Sequence, residues 1–575
     1  MCVEIALGRR GFQPRLPQNA SSVGAVSNRA AQTKYQDAGR RALKPRLPQN
    51  ARKEGTMTGG HIFVECLKAQ GVEVIFGLPG NHLDTVYEAL YYNQDSIRHY
   101  VTRHEGGTAF MADGYARATG DVGVCMTVPG PGSNNASIGI CEAYTACSPV
   151  LWITGQNPSS LAHKDPRKSF HGLDQRAAFA SMTKHIEIVH RVEQIPDAVN
   201  RAFSALRSGR PGPVLIELAT DALQAEAELP IPPRNNGIRT AASDADIAAA
   251  MELICTAERP FILAGSGVSH SRATEELLEF ARNLNAPIAM TSMGKGSVPE
   301  DSPYSIGIFR DSVAQSAMAA SDLVIAIGTR FTYRDTGNWT LKIDTPLLHI
   351  EADVDEIHKE YPATLGIGAD AKLVLQQLNI ALHGEKRTDG WREGVRQLRS
   401  RFTAIEPPQI LREMRDVLPR DAILSVDVNV TGYGALPHFP VYSPGSFIFS
   451  GISVAMGIGL TGAIGAQVAY PDRKVVALSG DGGFLMTSPD LATAVMYELP
   501  IVTLVMNDNQ YTSIERGQLR RFGKRIGVEL VNPDFVQFAE SFGAIGLRVE
   551  EPGDFRPGLE KALALDKPVV VEVMK

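Results

Sequence analysis

The chain has 575 residues and a mass of 62.1 kDa, room for three or four domains of ordinary size. Hydrophobic residues make up 44% and charged residues 21%, a globular balance, and the net charge of −6 argues against a protein that holds nucleic acid through bulk electrostatics. Its six cysteines include no CxxC pair, which speaks against a disulfide framework or a zinc ribbon and fits a reducing, cytoplasmic setting.

Residues 1–56 stand apart. They carry eleven Lys or Arg against three acids, so the rest of the chain is near −14. The heptapeptide Pro14–Ala20 returns as Pro45–Ala51, yet nothing between the copies has the apolar periodicity of a packing unit. The segment is expected to be disordered. Two origins stay open: a mis-set start, with the working chain beginning at Met57, or a basic, acid-poor transit peptide addressed to an organelle.

From Met57 onward short apolar runs alternate with helical patterns, the signature of parallel α/β units. Strands are expected at Val122–Val128, Val150–Thr154 and Pro213–Leu218, the first followed by a Pro-Gly-Pro-Gly turn (Pro129 to Gly132) and a helix toward Ala146. Leu229–Arg239, rich in Pro and Asn, reads as a linker. A second block starts near Ala245, with strands at Phe261–Ala264, Leu323–Ile327 and Leu347–Ile350, and closes in a polar stretch around His383–Trp391. A third has strands at Ala422–Val426, Lys474–Leu478, Ile501–Met506 and Val569–Val573. The expected fold is α/β, with three doubly wound parallel-sheet domains whose ligands sit at the carboxyl ends of strands. Phe439–Tyr470 contains no charged residue. Its Gly, Ser and Thr content, without a flanking basic cluster, favours a buried segment beneath a ligand over a membrane helix.

One strand runs directly from Ser479 into Gly480-Asp481-Gly482-Gly483. Glycines around a carboxylate let backbone amides approach an anion while the acid takes a divalent cation, although Gly-Asp-Gly is also an ordinary turn. Farther on, Ile501–Met506 ends in Asn507-Asp508-Asn509-Gln510. Two adjacent parallel strands ending in oxygen ligands converge on one ion, and Mg²⁺ suits a site of few protein oxygens completed by phosphate and water. With 24 residues between Gly482 and Asn507, the pair resembles the diphosphate-binding motif of the thiamine diphosphate enzymes, in which Gly-Asp-Gly precedes an Asn pair by such a gap.

That resemblance implies a second half-site upstream. Thiamine chemistry needs a carboxyl group against the aminopyrimidine, favouring the imino tautomer that takes the proton from C2. The segment from Arg103-His104-Glu105 to Ala116-Arg117 looks like the family's catalytic-glutamate helix, with Glu105 as the activating acid. Met456 matches the apolar wedge that keeps the cofactor bent. Gly80, Gly480, Gly482, Gly483 and Asn507 match cofactor-binding positions; Asp481, Asp508 and the carbonyl of Gln510 match metal-holding ones.

The likeness covers residues 57–575 in the order pyrimidine-binding domain (57–230), central Rossmann-like domain (245–385) and diphosphate-binding domain (400–575), and is nearest the acetolactate synthase large subunits. Gly77–Gly80, Met293–Gly296, Gly328–Phe331 and Asn532–Phe535 have counterparts there. It implies a homodimer or homotetramer with the active site between subunits, a small 2-oxo acid substrate, and no nucleic-acid or membrane partner. The implied reaction is decarboxylation of an oxo acid such as pyruvate and ligation to a second carbonyl. The alternative is a 2-oxo acid decarboxylase or a benzaldehyde-lyase-like 2-hydroxy-ketone lyase. A catalytically silent paralogue would be expected to lose Glu105 or the metal acids, and this chain keeps them.

Several positions depart from the synthase pattern. Gly106-Gly107-Thr108 replaces Gln-Ala-Ala, Val430–Gly434 replaces Gln-His-Gln-Met-Trp, Thr512-Ser513 replaces Gly-Met, and Asp508 stands where Asn is commoner. His82 matches a histidine of the benzaldehyde-lyase-like relatives, and His171 stands where Gln is frequent; each is a candidate substrate contact or a structural residue. Gly265-Ser266-Gly267 after a strand leaves a bound FAD open.

Overall fold

The computed structural model describes residues 55–383 and 390–575. The basic segment up to residue 54, and residues 384–389 of the polar stretch, lie outside the described residues. Three six-stranded parallel sheets form the frame. In the N-terminal sheet the spatial order is Arg98–Val101, Val74–Gly77, Gly123–Thr127, Val150–Gln156, Val214–Ala219 and His185–Val189. Numbered along the domain, that is 2-1-3-4-6-5. The C-terminal sheet repeats this order with Phe447–Phe449, Ile423–Val426, Val475–Gly480, Val502–Asn507, Val569–Met574 and Ile545–Val549. The central sheet differs. Its order is 3-2-1-4-5-6, through Ser305–Ile308, Ile288–Met290, Pro260–Ala264, Leu323–Ile327, Leu347–Glu351 and Leu365–Gly368.

Runs such as Leu323–Ile327 and Val502–Asn507 are buried along their whole length, as expected of strands covered by helices on both faces. Doubly wound sheets open a crevice where the strand order reverses, at the carboxyl ends. In the two outer domains that point lies between their first and third strands, so Gly77 and Thr127 point toward one crevice and Val426 and Gly480 toward the other.

Five helices position the site: α1 (Glu105–Thr119), α2 (Pro131–Thr145), α3 (Ile458–Ala469), α4 (Asp481–Thr487) and α5 (Thr512–Phe522). Helix α1 stops at Gly120, whose left-handed φ of 67° closes the last turn. Proline opens α2, where its missing N–H costs no hydrogen bond. Helices α1 and α3 cross at backbone contact: a Cβ on Gly114 would lie 2.3 Å from the Gly462 carbonyl oxygen, and one on Gly465 2.0 Å from that of Met111. The N- and C-terminal domains thereby share a core containing Phe110, Met111, Ile458, Ile464 and Phe484.

The uncharged stretch Phe439–Tyr470 holds α3, only 12 residues long, and no helix among the described residues is long and apolar enough to cross a membrane. Helix Gly390–Thr403 packs on the central sheet, where the Trp391 indole N–H donates to the Pro260 carbonyl at 3.0 Å. The five cysteines among the described residues are all free.

Candidate active site

At the C-terminal crevice, Gly480 ends its strand and Asp481 opens α4 with no intervening loop. The positions after Asp481 have little room for a side chain. A Cβ on Gly482 would lie 2.5 Å from the Tyr511 ring, and one on Gly483 3.0 Å from the Asp427 carboxyl carbon. Asp481 Oδ1 accepts the Gly482 N–H at 2.8 Å, and Oδ2 accepts the Asn532 amide at 2.7 Å. The same Asn532 nitrogen donates to Asn507 Oδ1 at 3.0 Å, so one side chain ties the two strand ends together. Asn507 is otherwise committed: its amide donates to Glu572 at 2.7 Å, and Oδ1 also accepts the Asn509 N–H at 3.2 Å. Asn509, at φ 55°, turns the chain, and Gln510 bridges to Glu529.

The Asp508 carboxylate accepts the Thr512 hydroxyl at the start of α5. Burial raises the Asp481 carboxyl above the usual carboxylate range, and the charge of Asp508 acts in the same direction. A buried acid raised by its surroundings, with a second carboxylate nearby at a strand end, fits a divalent cation, which would reverse that penalty. The Lys575 backbone N–H donates to the Asn507 carbonyl at 3.1 Å and its ammonium donates to Thr431 Oγ1 at 2.6 Å; burial lowers the Lys575 pKa, while the charges of Asp508 and Asp481 act to raise it.

Met456 is half-buried in the loop between Phe449 and α3. Immediately after it, the buried Asp427 carboxylate accepts the N–H groups of Gly457 (3.0 Å) and Gly459 (3.3 Å). Gly457 takes φ 103°, open only to glycine at low cost. Asp427 occupies the crevice between the first and third strands, and burial pushes its carboxyl up against those amide hydrogen bonds.

The N-terminal crevice holds the other half. Glu105 is the first residue of α1, and the N–H of Gly106 is capped by His104 Nδ1 at 3.1 Å. Glu105 is 9% exposed, its Oε2 accepts the Asn135 amide of α2 at 3.1 Å, and a Cβ on Gly132 would lie 3.2 Å from Oε1. Gly80 leaves no room for a side chain, because a Cβ there would meet Val128 at 2.1 Å. His82 and His171 stack at 5.3 Å between ring centroids, with Phe170 beside both at 5.5 and 4.1 Å. His171 sits at φ 51° against the backbone of Gly130. Burial lowers the His82 pKa below the usual histidine value, opposed by its hydrogen bond with Asn157, so the imidazole is neutral at pH 7. Glu105, Gly80, His82 and His171 therefore gather at one crevice, and Asp481, Asn507, Asp508, Gln510 and Met456 around the other. Glu105 makes its hydrogen bond within its own domain.

The central domain has a cavity of about 280 Å³ where its first and fourth strands part, lined by Gly267, Arg272, Gly328, Arg330 and Glu351 and by Arg210 of the N-terminal domain. Gly267 N–H donates to the Gly328 carbonyl at 3.0 Å, drawing the two loops together. Arg210 is paired with Asp353 and Glu356, and Arg330 donates to the Thr145 carbonyl. The arginine-rich wall and glycine loops fit an anionic, phosphate-bearing group.

Family models match residues 57–178 (thiamine pyrophosphate enzyme, N-terminal TPP binding domain), 247–378 (central domain) and 430–573 (C-terminal TPP binding domain). The chain is 35% identical to a probable acetolactate synthase large subunit of Methanocaldococcus jannaschii, over 90% of this chain and 92% of that protein. It is 32% identical to the acetolactate synthase isozyme 2 large subunit of Escherichia coli (90% and 95% covered). It is also 33% identical to the putative thiamine pyrophosphate-containing protein YdaP of Bacillus subtilis (90% and 91%). The chain belongs to the thiamine pyrophosphate enzymes and is an enzyme of the transferase or lyase type.

Proposed function

We propose that this thiamine pyrophosphate enzyme uses thiamine diphosphate and Mg²⁺ to decarboxylate a 2-oxo acid such as pyruvate and to join the remaining acyl fragment to a second 2-oxo acid, as acetolactate synthases do. The observation that carries the reading is the Asn532 bridge between Asp481 and Asn507, which fixes two strand ends as one oxygen-lined cradle. Asp481, Asp508 and the Gln510 carbonyl would hold the metal, and the backbone of Gly482 and Gly483 would receive the diphosphate. Met456 would be the apolar wedge against the cofactor. When bound, thiamine diphosphate supplies the carbanion and the electron sink. Glu105 holds a proton at the aminopyrimidine ring nitrogen, and Asn135 keeps its carboxylate oriented. Because Glu105 and the metal cradle lie in different crevices, the working unit is a homodimer or a multiple of one, each cofactor reading the glutamate of the partner.

A second reading is favoured by one cluster. His82, neutral and stacked on His171, would move a proton at a substrate hydroxyl, as a 2-hydroxy-ketone lyase or a simple decarboxylase requires. FAD is the ligand that the family resemblance offers for the central cavity. Pyruvate consumption with added thiamine diphosphate and Mg²⁺, assayed for acetolactate and acetaldehyde together, separates these readings. Acetolactate supports the synthase, free aldehyde the decarboxylase, and untouched pyruvate moves the search to aromatic oxo acids and 2-hydroxy ketones. The visible spectrum of the purified protein reads the flavin.

A further inference from the structure

We propose that Glu142 is a positioning residue for Met456, so that helix α2 of the N-terminal domain sets the cofactor wedge in the C-terminal domain of the same chain. The inference rests on the reading that Met456 packs between the cofactor rings. Glu142 is 1% exposed and has no part in the chemistry derived above. Its Oε1 accepts Arg117 Nη2 at 2.7 Å, and Arg117 is already paired with Asp113 at 2.8 Å and bonded to the Phe449 carbonyl at 2.8 Å. The guanidinium therefore has one buried acid without Glu142. A second carboxylate in that space adds uncompensated charge, unless its other oxygen is used.

That oxygen is used entirely on the wedge loop. Glu142 Oε2 accepts the Ser450 hydroxyl at 2.6 Å and the Ser453 hydroxyl as well. Ser450 Oγ in turn accepts the N–H of Ala455 at 2.7 Å, the residue immediately before Met456. The loop needs such a hold. Val454, β-branched, sits at φ 57°, a conformation that persists only where its surroundings impose it. Asp427 grips the other side of Met456 through Gly457 and Gly459, so the wedge is bracketed by two buried carboxylates from different domains.

Helix α2 also reaches the opposite crevice. Asn135 donates to Glu105 from a position seven residues before Glu142, two turns away on the same face. In the dimer proposed above, one rigid helix then links the activating acid that serves one cofactor to the wedge that serves the other.

The test uses the full chain, with Ser450→Ala/Ser453→Ala as the main variant because it cuts the hold and leaves the Arg117–Glu142 pair intact. Glu142→Ala is the second variant, and Met456→Ala the control. Three quantities are read: the rate of C2 hydrogen–deuterium exchange in bound thiamine diphosphate at saturating Mg²⁺, the Kd of the cofactor by fluorescence quenching, and amide exchange of residues 450–457 before cofactor is added. The serine variant is expected to slow C2 exchange at least about tenfold, to change Kd less than about threefold, and to speed amide exchange across the loop. Unchanged C2 exchange in the serine variant, with a slow Met456→Ala control, overturns the role of Glu142 and leaves the wedge standing. Normal exchange in Met456→Ala sinks the wedge and the proposal with it. Cofactor affinity and C2 exchange falling in parallel would show a merely structural contact and would also overturn the proposal.

Discussion

Asp490, in the C-terminal domain, accepts the backbone N–H of Arg103 at 2.7 Å, two residues before Glu105. Its Oδ1 also takes the Thr493 hydroxyl, and Oδ2 is buried without a hydrogen-bond partner among the described residues. Burial pushes this carboxyl up to about 7; Arg103 draws it down and Glu105 pushes it further up. A neutral acid is thus the form the fold prefers, and it holds the turn that leads into Glu105. Since the unfolded chain releases this proton near pH 3.8 and the folded chain near 7, the folded state binds more protons in between. Stability contributed by Asp490 therefore falls as pH rises through that window. Asp490→Asn imitates the neutral acid and lacks the titration. We expect urea midpoints of the variant relative to the parent to rise between about pH 4 and about pH 7. Glu351, lifted to about 7 by burial, is common to both proteins and cancels. Parallel midpoints across the window would contradict the buried neutral form.

The same carboxyl explains a departure from the synthase pattern. A Cβ on Gly107 would lie 1.8 Å from Asp490 Oδ2, whereas one on Gly106 finds nothing nearer than His104 Nδ1 at 3.1 Å. Gly107→Ala is expected to cost about 2–3 kcal/mol through overpacking, less the roughly 1 kcal/mol that alanine returns inside a helix. Gly106→Ala is expected within about 1 kcal/mol of neutral. Adding Asp490→Ala to Gly107→Ala removes the clash, so the two changes should be strongly non-additive in denaturant unfolding. Simple additivity would remove Asp490 as the reason for the glycine.

These contacts mark where sequence reading stops. The long buried strands were legible because both faces are apolar, and observed Leu323–Ile327 coincides with its expected bounds. Edge strands such as Arg98–Val101, His185–Val189 and Ile545–Val549 are half-exposed, and no apolar run announces them. The Gly480–Gly483 turn and the Asn507–Gln510 end were visible because a glycine-flanked acid and its spacing are local features. Asn532, Asp490 and Glu142 reach their partners across 51, 387 and 308 residues, where only the fold brings them together. Asp427 had a weaker signal, a lone acid at the end of an apolar strand.

Asn532 should govern the metal without touching it. Its single amide nitrogen supplies both bonds that join Asp481 and Asn507, so Asn532→Ala frees the two strand ends and leaves Asn507 Oδ1 with its backbone contact alone. Loss of such a supporting bond typically weakens metal binding by about 10- to 100-fold. Mg²⁺ titration of activity and of cofactor fluorescence quenching should both shift by that factor, with full activity recovered at high Mg²⁺. Unchanged Mg²⁺ dependence would mean that Asp481 is oriented by α4 alone.

Glu105 and Asp481 are expected to fail in different ways, because the proposed mechanism gives one the ring and the other the metal and diphosphate. Glu105→Gln keeps an oxygen that can accept the Asn135 amide, so α1 and the cofactor should stay in place. Turnover should fall by about 10²–10⁴, the usual worth of a positioned acid–base group. Asp481→Ala removes a charge and the acceptor of both the Gly482 N–H and the Asn532 amide. Its loss should appear first as weakened Mg²⁺ and cofactor binding, and only then as lost rate. The two are separated by measuring cofactor Kd alongside turnover at saturating cofactor. Near-normal turnover in Glu105→Gln would overturn the activating role, and tight cofactor binding in Asp481→Ala would move the metal site away from the end of the Val475–Gly480 strand.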